Sequence, residues 1–145
     1  MSIMTSAGST LGIATGVPAT YDAAGFGALT YVTVGEVTDL GQNGREYVAV
    51  NHSPVGSRRT VKLKGSYHSG AMQIKMARDT TNLGQIAMKA ALLSDSDFSF
   101  KITLQDLTKV FFTGKVSVYK LAVGTVDQVT AQDATIEIIS DIIEV

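Results

Sequence analysis

The sequence predicts a mainly antiparallel β protein (α+β), built as a sandwich or barrel with one short helix. Runs such as Ala71-Met-Gln-Ile-Lys-Met76 and Phe98-Ser-Phe-Lys-Ile-Thr-Leu104 alternate apolar and polar residues, which is typical of half-buried strands. Residues 82–93 instead place apolar side chains at helical spacing. Fourteen glycines against two prolines favour turns and bulges, and 145 residues fit one domain, 1–145.

The first part of the chain mixes irregular and extended segments. Residues 1–7 lack the basic region and the apolar run of a secretory signal, so they are predicted to form a flexible N-terminal arm. A strand is expected at 8–13, and a loop rich in Gly, Ala and Pro at 16–28. Tyr31-Val-Thr-Val34 alternates cleanly, and the following Gly35 shifts the parity as a β-bulge would.

The segment 38–60 is predicted to be a long loop. It is polar and contains the turn-forming pairs Asn43-Gly44 and Ser53-Pro54. Loops of this length are uncommon inside a compact domain and usually carry a function. The run Val61-Lys-Leu-Lys64 is expected to be a strand at the end of this loop, paired with the strand through Ile74.

Residues 82–93 carry the signals of a helix. Asn82 at the N-cap and Gln85 three residues later resemble a capping box, and Asp79 just upstream is favourable for the helix dipole. One apolar face is predicted to pack on the sheet as part of the core, and it consists of Leu83, Ile86, Ala87, Ala90 and Leu93.

No constellation of side chains indicates catalysis, so the chain is predicted not to be an enzyme and to need no cofactor. The absence of cysteine excludes disulfides, thiolate metal sites and cysteine nucleophiles. His52 and His68 have no ligand partners nearby in the sequence and are expected at a surface or interface. Asp95 and Asp97 resemble a metal-binding pair but fit a turn better, so no metal site is predicted.

The net charge of −1 conceals an acid–base–acid order along the chain. All twelve Lys and Arg residues lie within 45–120, whereas 1–44 and 121–145 contain acids and no base. Segments of opposite sign on two copies can therefore attract each other. The basic run from Arg58 to Lys64 is the best candidate for nucleic-acid binding. A pI near 6.1 and the lack of interleaved aromatics make an acidic surface on a neighbouring copy at least as good an alternative.

The order of these elements resembles the major tail tube proteins of long-tailed bacteriophages, which are related by fold to the tube proteins of type VI secretion systems. The resemblance spans nearly the whole chain and rests on the order and spacing of Gly8-Ser-Thr-Leu11, Tyr31–Val34, the long loop, Gly70-Ala-Met-Gln-Ile-Lys-Met-Ala-Arg-Asp79, Gly84-Gln85 in the helix, Phe98-Ser-Phe-Lys-Ile-Thr-Leu-Gln-Asp106 and Phe112-Thr-Gly-Lys-Val116. It implies a structural subunit whose homohexameric rings share their strands in a ring-wide β-barrel. The rings stack into a hollow tube that conducts genomic DNA during ejection.

The same resemblance implies partners and a location. Copies of the chain contact one another, while the tape measure protein and genomic DNA occupy the lumen transiently and without specificity. Tail terminator and baseplate proteins bind the ends of the tube. The subunit is expected in the tail of the virion, after assembly in the host bacterial cytoplasm and without membrane insertion.

Period-two alternation assigns side chains to these roles. The apolar strand faces, Val118 included, are expected to pack under the helix. The polar faces are expected to line the lumen through Thr33, Gln73, Lys75, Thr113, Lys115, Ser117, Thr135 and Glu137. The long loop and nearby charges are expected to join subunits and stack rings through Arg45, Arg58, Arg59, Lys62, Lys64, Asp39, Asp127 and Asp141.

Two alternatives stay open at this point. A tail terminator or baseplate hub protein would make one ring without a tube. A small-ligand-binding β-barrel would be a monomer with an apolar cavity, which the polar alternate faces argue against.

Overall fold

The computed structural model describes residues 3–145 and confirms a mainly antiparallel β protein. Residues 1 and 2 of the predicted arm lie outside the described residues, and 3–7 contain no helix or strand. In chain order the elements are β1 Thr10–Thr15, α1 Ala23–Gly27, β2 Val32–Val34, β3 Val37–Asp39, β4 Glu46–His52, β5 Val61–His68, β6 Ala71–Ala77, α2 Leu83–Leu92, β7 Phe98–Thr103, β8 Lys109–Ala122, β9 Ala131–Ile138 and β10 Ile143–Glu144.

One antiparallel sheet runs in the order β2-β1-β7-β8-β9-β6-β3, and β10 pairs with β8. β2 and β3 lie at the two ends of this order, yet only Gly35 and Glu36 separate them in the sequence. So few residues span roughly 10 Å, and the sheet must therefore curl until its ends come close. Glu36 has a φ of 60°, in the left-handed region, and turns the chain from one end of the sheet to the other. In the described chain the sheet is curled but not closed by pairing of β2 with β3.

The core fills the inside of the curled sheet. Met72, Ile74 and Met76 of β6 are buried there, as the alternation predicts. Phe100 and Phe112 stack across β7 and β8 with their ring centroids 5.5 Å apart. Full burial of side chains of this size contributes roughly 1.5–3 kcal/mol each. The interior is thus packed with side chains rather than hollow.

Helix α2 begins and ends where the sequence predicts, but it turns the opposite face to the core. Leu83, Ile86 and Leu93 are 68%, 51% and 80% exposed. Ala90 is exposed as well, and Ala87 is half-buried. The predicted core face is therefore wrong, and the buried face consists of Gly84, Gln85, Met88 and Ala91.

Two residues decide which face of α2 is buried. A Cβ at Gly84 would collide with the backbone of Thr33, so glycine lets the helix lie unusually close to β2. The buried amide of Gln85 is fully satisfied by backbone groups. Its Oε1 accepts from Asp79 N at 3.0 Å, and its Nε2 donates to Gly35 O at 3.0 Å and to Ala77 O at 2.8 Å. The predicted capping box is therefore half formed. The Asn82 side chain accepts from Gln85 N, but the Gln85 side chain does not bond back to Asn82.

Replacing Asn82 by alanine is expected to destabilise the subunit by about 1–2 kcal/mol. Asn82 Oδ1 accepts from Gln85 N at 3.0 Å and from Gly35 N at 3.1 Å, so the variant loses the helix cap and a tie to the sheet. The midpoint of thermal unfolding should fall by roughly 2–8 °C. Asn82→Asp keeps the acceptor oxygen and is the control. Equal melting of all three proteins would show that the cap contributes nothing.

Helix α1 is an element that the sequence analysis missed, inside the predicted loop 16–28. Asp22 caps it by accepting from Gly25 N at 2.7 Å, and this bond lowers the pKa of Asp22. Phe26 is buried and stacks on Phe111 with ring centroids 5.5 Å apart. Tyr31 Oη donates to Phe26 O at 3.0 Å, and burial raises the pKa of Tyr31 to about 12. The helix thus covers part of the outer side of the sheet.

The predicted loop 38–60 contains the end of β3 and the whole of β4. β4 lies within it and pairs with β5, so the expected pairing of β5 with β6 is wrong. β6 instead has β9 on one side and the short β3 on the other. The two strands and their connection, 53–60, form a two-stranded element over Glu46–His68, called the ribbon below.

Candidate functional site

The ribbon contains the most exposed strands of the fold. Its strand residues are exposed apart from Gly65, which is half-buried. It forms a sheet of its own, separate from the main sheet. A two-stranded ribbon alone is marginally stable in water. Because its residues are exposed and pair with no other strand within residues 3–145, both faces and both edges of the ribbon are available to a partner.

One face of the ribbon is apolar. Period-two alternation and the pairing of Val50 with Leu63 place the large aliphatic side chains together. These are Val48, Val50, Val61 and Leu63, which are 51%, 45%, 45% and 56% exposed. Single apolar residues on a surface are ordinary, but a contiguous group of aliphatics marks an interaction surface.

The opposite face of the ribbon carries aromatic and basic side chains. Tyr47 and Tyr67 pair across the strands with ring centroids 5.3 Å apart. The Arg45 guanidinium lies 4.1 Å from the centre of the Tyr67 ring, and Lys64 Nζ lies 5.0 Å from that of Tyr47. Arg45 also donates to Tyr47 Oη at 3.2 Å, which raises the pKa of Arg45. These contacts fix the base of the ribbon and keep its polar face cationic.

The predicted inter-subunit charges are distributed over several elements. Arg45, expected to meet a neighbouring copy, pairs instead with Asp141 of its own chain at 3.4 Å. Such an exposed pair contributes only about 0–1 kcal/mol. Asp39 ends β3 and accepts from Gly41 N at 2.8 Å. Of the rest, Arg58 and Arg59 lie at the ribbon tip, Lys62 and Lys64 on β5, and Asp127 in the β8–β9 connection.

A second candidate surface is the outer face of β8, β9 and β6, on the side away from the core. The register sets Lys115 beside Glu137 and Gln73 beside Thr135. Ser117 Oγ donates to Thr135 O at 3.4 Å. Six of the eight predicted lumen residues share this face, namely Gln73, Lys75, Lys115, Ser117, Thr135 and Glu137.

The other two predicted lumen residues lie elsewhere. Thr113 is 1% exposed, so its assignment to a lumen surface is wrong. Residues 139–140 run beside it, since Thr113 N donates to Ser140 Oγ at 2.9 Å and Ile139 N donates to Thr113 O at 3.0 Å. Thr33 is exposed but belongs to β2, at the other end of the strand order.

A β-bulge in β8 reverses the parity of its second half. Val116 faces Ile136, but beyond Ser117 the register pairs Val118 with Thr135 and Tyr119 with Ala134. The expected packing of Val118 under the helix is therefore wrong, and Tyr119 takes that place. Its Oη donates to Gln85 O at 3.5 Å, and burial raises the pKa of Tyr119.

The acidic and histidine side chains of the described residues are spread over several elements. Within 3–145, no three His, Asp or Glu side chains are grouped so that they would hold a metal ion. No helix in that range is both long and apolar enough to cross a bilayer. Asp97, in the turn after α2, pairs with Lys115 at 3.5 Å. His52 and His68 are exposed on the ribbon.

Comparison with solved structures relates this fold to contractile injection systems. One similar chain belongs to the sheath/tube terminator of the extracellular contractile injection system PVC in its extended state. It has a TM-score of 0.63 and 8% identity, and the alignment covers 100% of this chain and 98% of that one. Another belongs to the baseplate of the anti-feeding prophage, with a TM-score of 0.67, 10% identity and coverage of 100% and 97%. The chain has the fold of these proteins.

At such low identities the likeness establishes the fold alone. A crystal structure of an Hcp protein aligns over 90% of this chain with a TM-score of 0.43, which is too low to indicate a common fold. No family model and no curated protein matches the sequence. The function therefore has to be inferred from the surfaces.

Proposed function

We propose that this chain is a structural subunit of a phage-type tail tube, in which homohexameric rings stack into a hollow tube. The observation that carries the proposal is the ribbon, an exposed arm whose apolar face is left uncovered by its own chain. Support also comes from the fold, which is shared along the whole chain with parts of contractile injection systems.

The ribbon suits a subunit that polymerises. An arm that docks on a different surface of the next copy makes a heterologous contact. Contacts of this kind generate rings when the rotation closes and open stacks when it does not. A tube combines closed rings with open stacking. Exposed arms such as the ribbon can make the heterologous contacts that both arrangements require.

We assign the lumen wall to the outer face of β8, β9 and β6. If one neighbouring strand joins these three, six copies with four strands each would give 24 strands, which at about 4.8 Å spacing and about 40° tilt enclose roughly 48 Å, enough for a DNA duplex. Lys75, Lys115 and Glu137 mix charges on this face. Since each neutralised phosphate adds salt-dependent affinity, mixed charge keeps contacts with genomic DNA weak and transient.

The remaining partners follow from the same proposal. The tape measure protein shares the lumen with the DNA, and tail terminator and baseplate proteins bind the ends of the tube. The subunit then belongs to the tail of the virion and assembles in the host bacterial cytoplasm.

A terminator or baseplate hub protein is the second candidate. It is favoured by the two similar structures, which are described as a sheath/tube terminator and a baseplate. Such a protein would form one ring and stop. A ligand-binding barrel is disfavoured because Phe100, Phe112 and Met72 fill the interior of the sheet.

The purified chain is expected to form stacked rings as its concentration rises. Size-exclusion chromatography with light scattering measures the mass of the particles, and negative-stain electron microscopy shows their shape. Single rings that never stack would favour the terminator instead. A monomer at every concentration would overturn both readings. A reconstruction with Gln73 and Lys75 on the outside of the tube would contradict the lumen assignment.

A further inference from the structure

Helix α2 carries apolar side chains on both sides, and several large ones point away from the core. Met88 and Ala91 face the sheet, whereas Leu83, Ile86 and Leu93 are exposed by half or more. A helix that is hydrophobic all round is normally buried on all sides. The outer face of α2 is defined by Leu83, Ile86, Ala90 and Leu93. Such an apolar surface is expected to be buried against a partner.

This outer face continues into a groove. Ile86 lines it together with Tyr119 and Leu121, and its volume is about 320 Å³. Leu121 is 50% exposed, so it extends the apolar surface beyond the helix. Lys89 and Arg78 form the polar side of the groove. The surface is therefore wide enough to receive more than one side chain.

The ribbon matches this surface in size and character. Its apolar face extends from Val48 to His52, about 13 Å at 3.3 Å per residue. The outer face of α2 extends from Leu83 to Leu93, about 15 Å at 1.5 Å per residue. Both surfaces are composed of aliphatic side chains that are roughly half exposed or more. A β ribbon that packs lengthwise on the helix would bury the two apolar faces against each other.

Acidic side chains lie at both ends of the outer face of α2, next to the two bases of the groove. Asp79 precedes the outer face of α2 and Asp95 follows it. Hydrogen bonds from Thr81 lower the pKa of Asp79, so that carboxylate stays ionised near neutral pH. The ribbon tip carries Arg58 and Arg59. Opposite charges at the rim of an apolar contact set its orientation and suppress wrong pairings.

We propose that the outer face of α2 is the acceptor for the apolar face of the ribbon of a second copy of this chain. Within one subunit α2 packs on β8, β2 and β1, and its outer face stays exposed. Donor and acceptor are different elements, so the contact is heterologous and can propagate. The inference rests on the proposed function and names the partner surfaces that join its subunits.

The absence of native cysteine allows a direct test by disulfide cross-linking. Val50→Cys on the ribbon and Ile86→Cys on α2 are combined in one chain, and the assembled protein is oxidised. A ladder of covalent multimers, with loss of the monomer band on a non-reducing gel, is expected. Each single variant can form at most a dimer. Val50→Cys with Lys120→Cys, which lies on the outer face of β8, is the matched control and should stay monomeric on the gel.

The outcomes separate this inference from the proposed function. Thermal melts of the cysteine variants first show that each one is folded. Rings or tubes seen by microscopy without a ladder from the Val50 and Ile86 pair would overturn the inference and leave the proposed function standing. A ladder of equal strength from the Lys120 control would overturn it too. Absence of any assembly from the wild-type chain would overturn both.

Discussion

Removal of the ribbon is expected to abolish assembly and to leave a folded subunit. The variant replaces Glu46–His68 by a short Gly-Ser linker, which can bridge the gap because Glu46 pairs with His68 and their Cα atoms lie about 5 Å apart. The core cluster contains no residue of the ribbon, so burial in the body is unchanged. Light scattering should report a monomer, and calorimetry a single cooperative transition.

The matched control for this deletion keeps the ribbon and changes only its apolar face. Val48→Thr with Val50→Thr preserves β-branched side chains and hence the strand, but makes the contact polar. Assembly should require a higher protein concentration in this variant. Tubes from the deletion variant would show that the ribbon is not the assembly element, and a deletion variant unable to fold would place the ribbon in the fold itself.

Aspartate on the two sides of α2 is expected to have opposite consequences. Met88 is 0% exposed, so Met88→Asp buries an unpaired charge at a cost of several kcal/mol, comparable to the whole stability of a domain of about 5–15 kcal/mol. This variant should be insoluble. Ile86 is 51% exposed, so Ile86→Asp should be soluble and should melt within a few degrees of the wild type.

Soluble expression, circular dichroism and electron microscopy measure both outcomes of this comparison. Ile86→Asp should also fail to assemble, because its charge falls on the proposed acceptor surface for the ribbon. A soluble and stable Met88→Asp variant would mean that the packing of α2 described above is wrong. An insoluble Ile86→Asp variant would place the outer face of the helix in the core of the subunit.

The sequence predicts the parts of this fold that local rules determine. Period-two alternation identifies Met72, Ile74 and Met76 as core residues, because strand side chains alternate strictly between two faces. The ends of α2 are predictable since Asn82 is a strong N-cap. Six lumen candidates fall on one surface for the same reason, although their role in a channel stays a proposal.

The face of α2 was not predictable from periodicity. Both sides of the helix carry apolar residues, and the outer side carries Leu83, Ile86 and Leu93, so the hydrophobic pattern indicates the wrong side. Gly84 and Gln85 fix which face of α2 is buried, through contacts with β2, Gly35 and Ala77. None of these contacts can be read from local spacing, because the partners lie on other elements.

Long-range topology explains the other errors. The ribbon strand Glu46–His52 is rich in β-forming residues, but turn signals on both sides of it favour a loop. Thr113 alternates like its neighbours but is buried, and residues 139–140, which continue from the end of β9, bond to its backbone. The bulge at Ser117 moves Val118 out of the core, and alternation fails wherever one residue is inserted.

The turn at Gly35 and Glu36 affects how readily unassembled subunits aggregate. Both borders of the main sheet are strands of three residues, Val32–Val34 and Val37–Asp39, contributed by one short segment. Long unpaired borders invite stray strands and uncontrolled aggregation, and short ones prevent it. Free subunits are thereby protected from growing into fibrils at β2 and β3. In the proposed assembly, masking of the ribbon would stop polymerisation without harming the body.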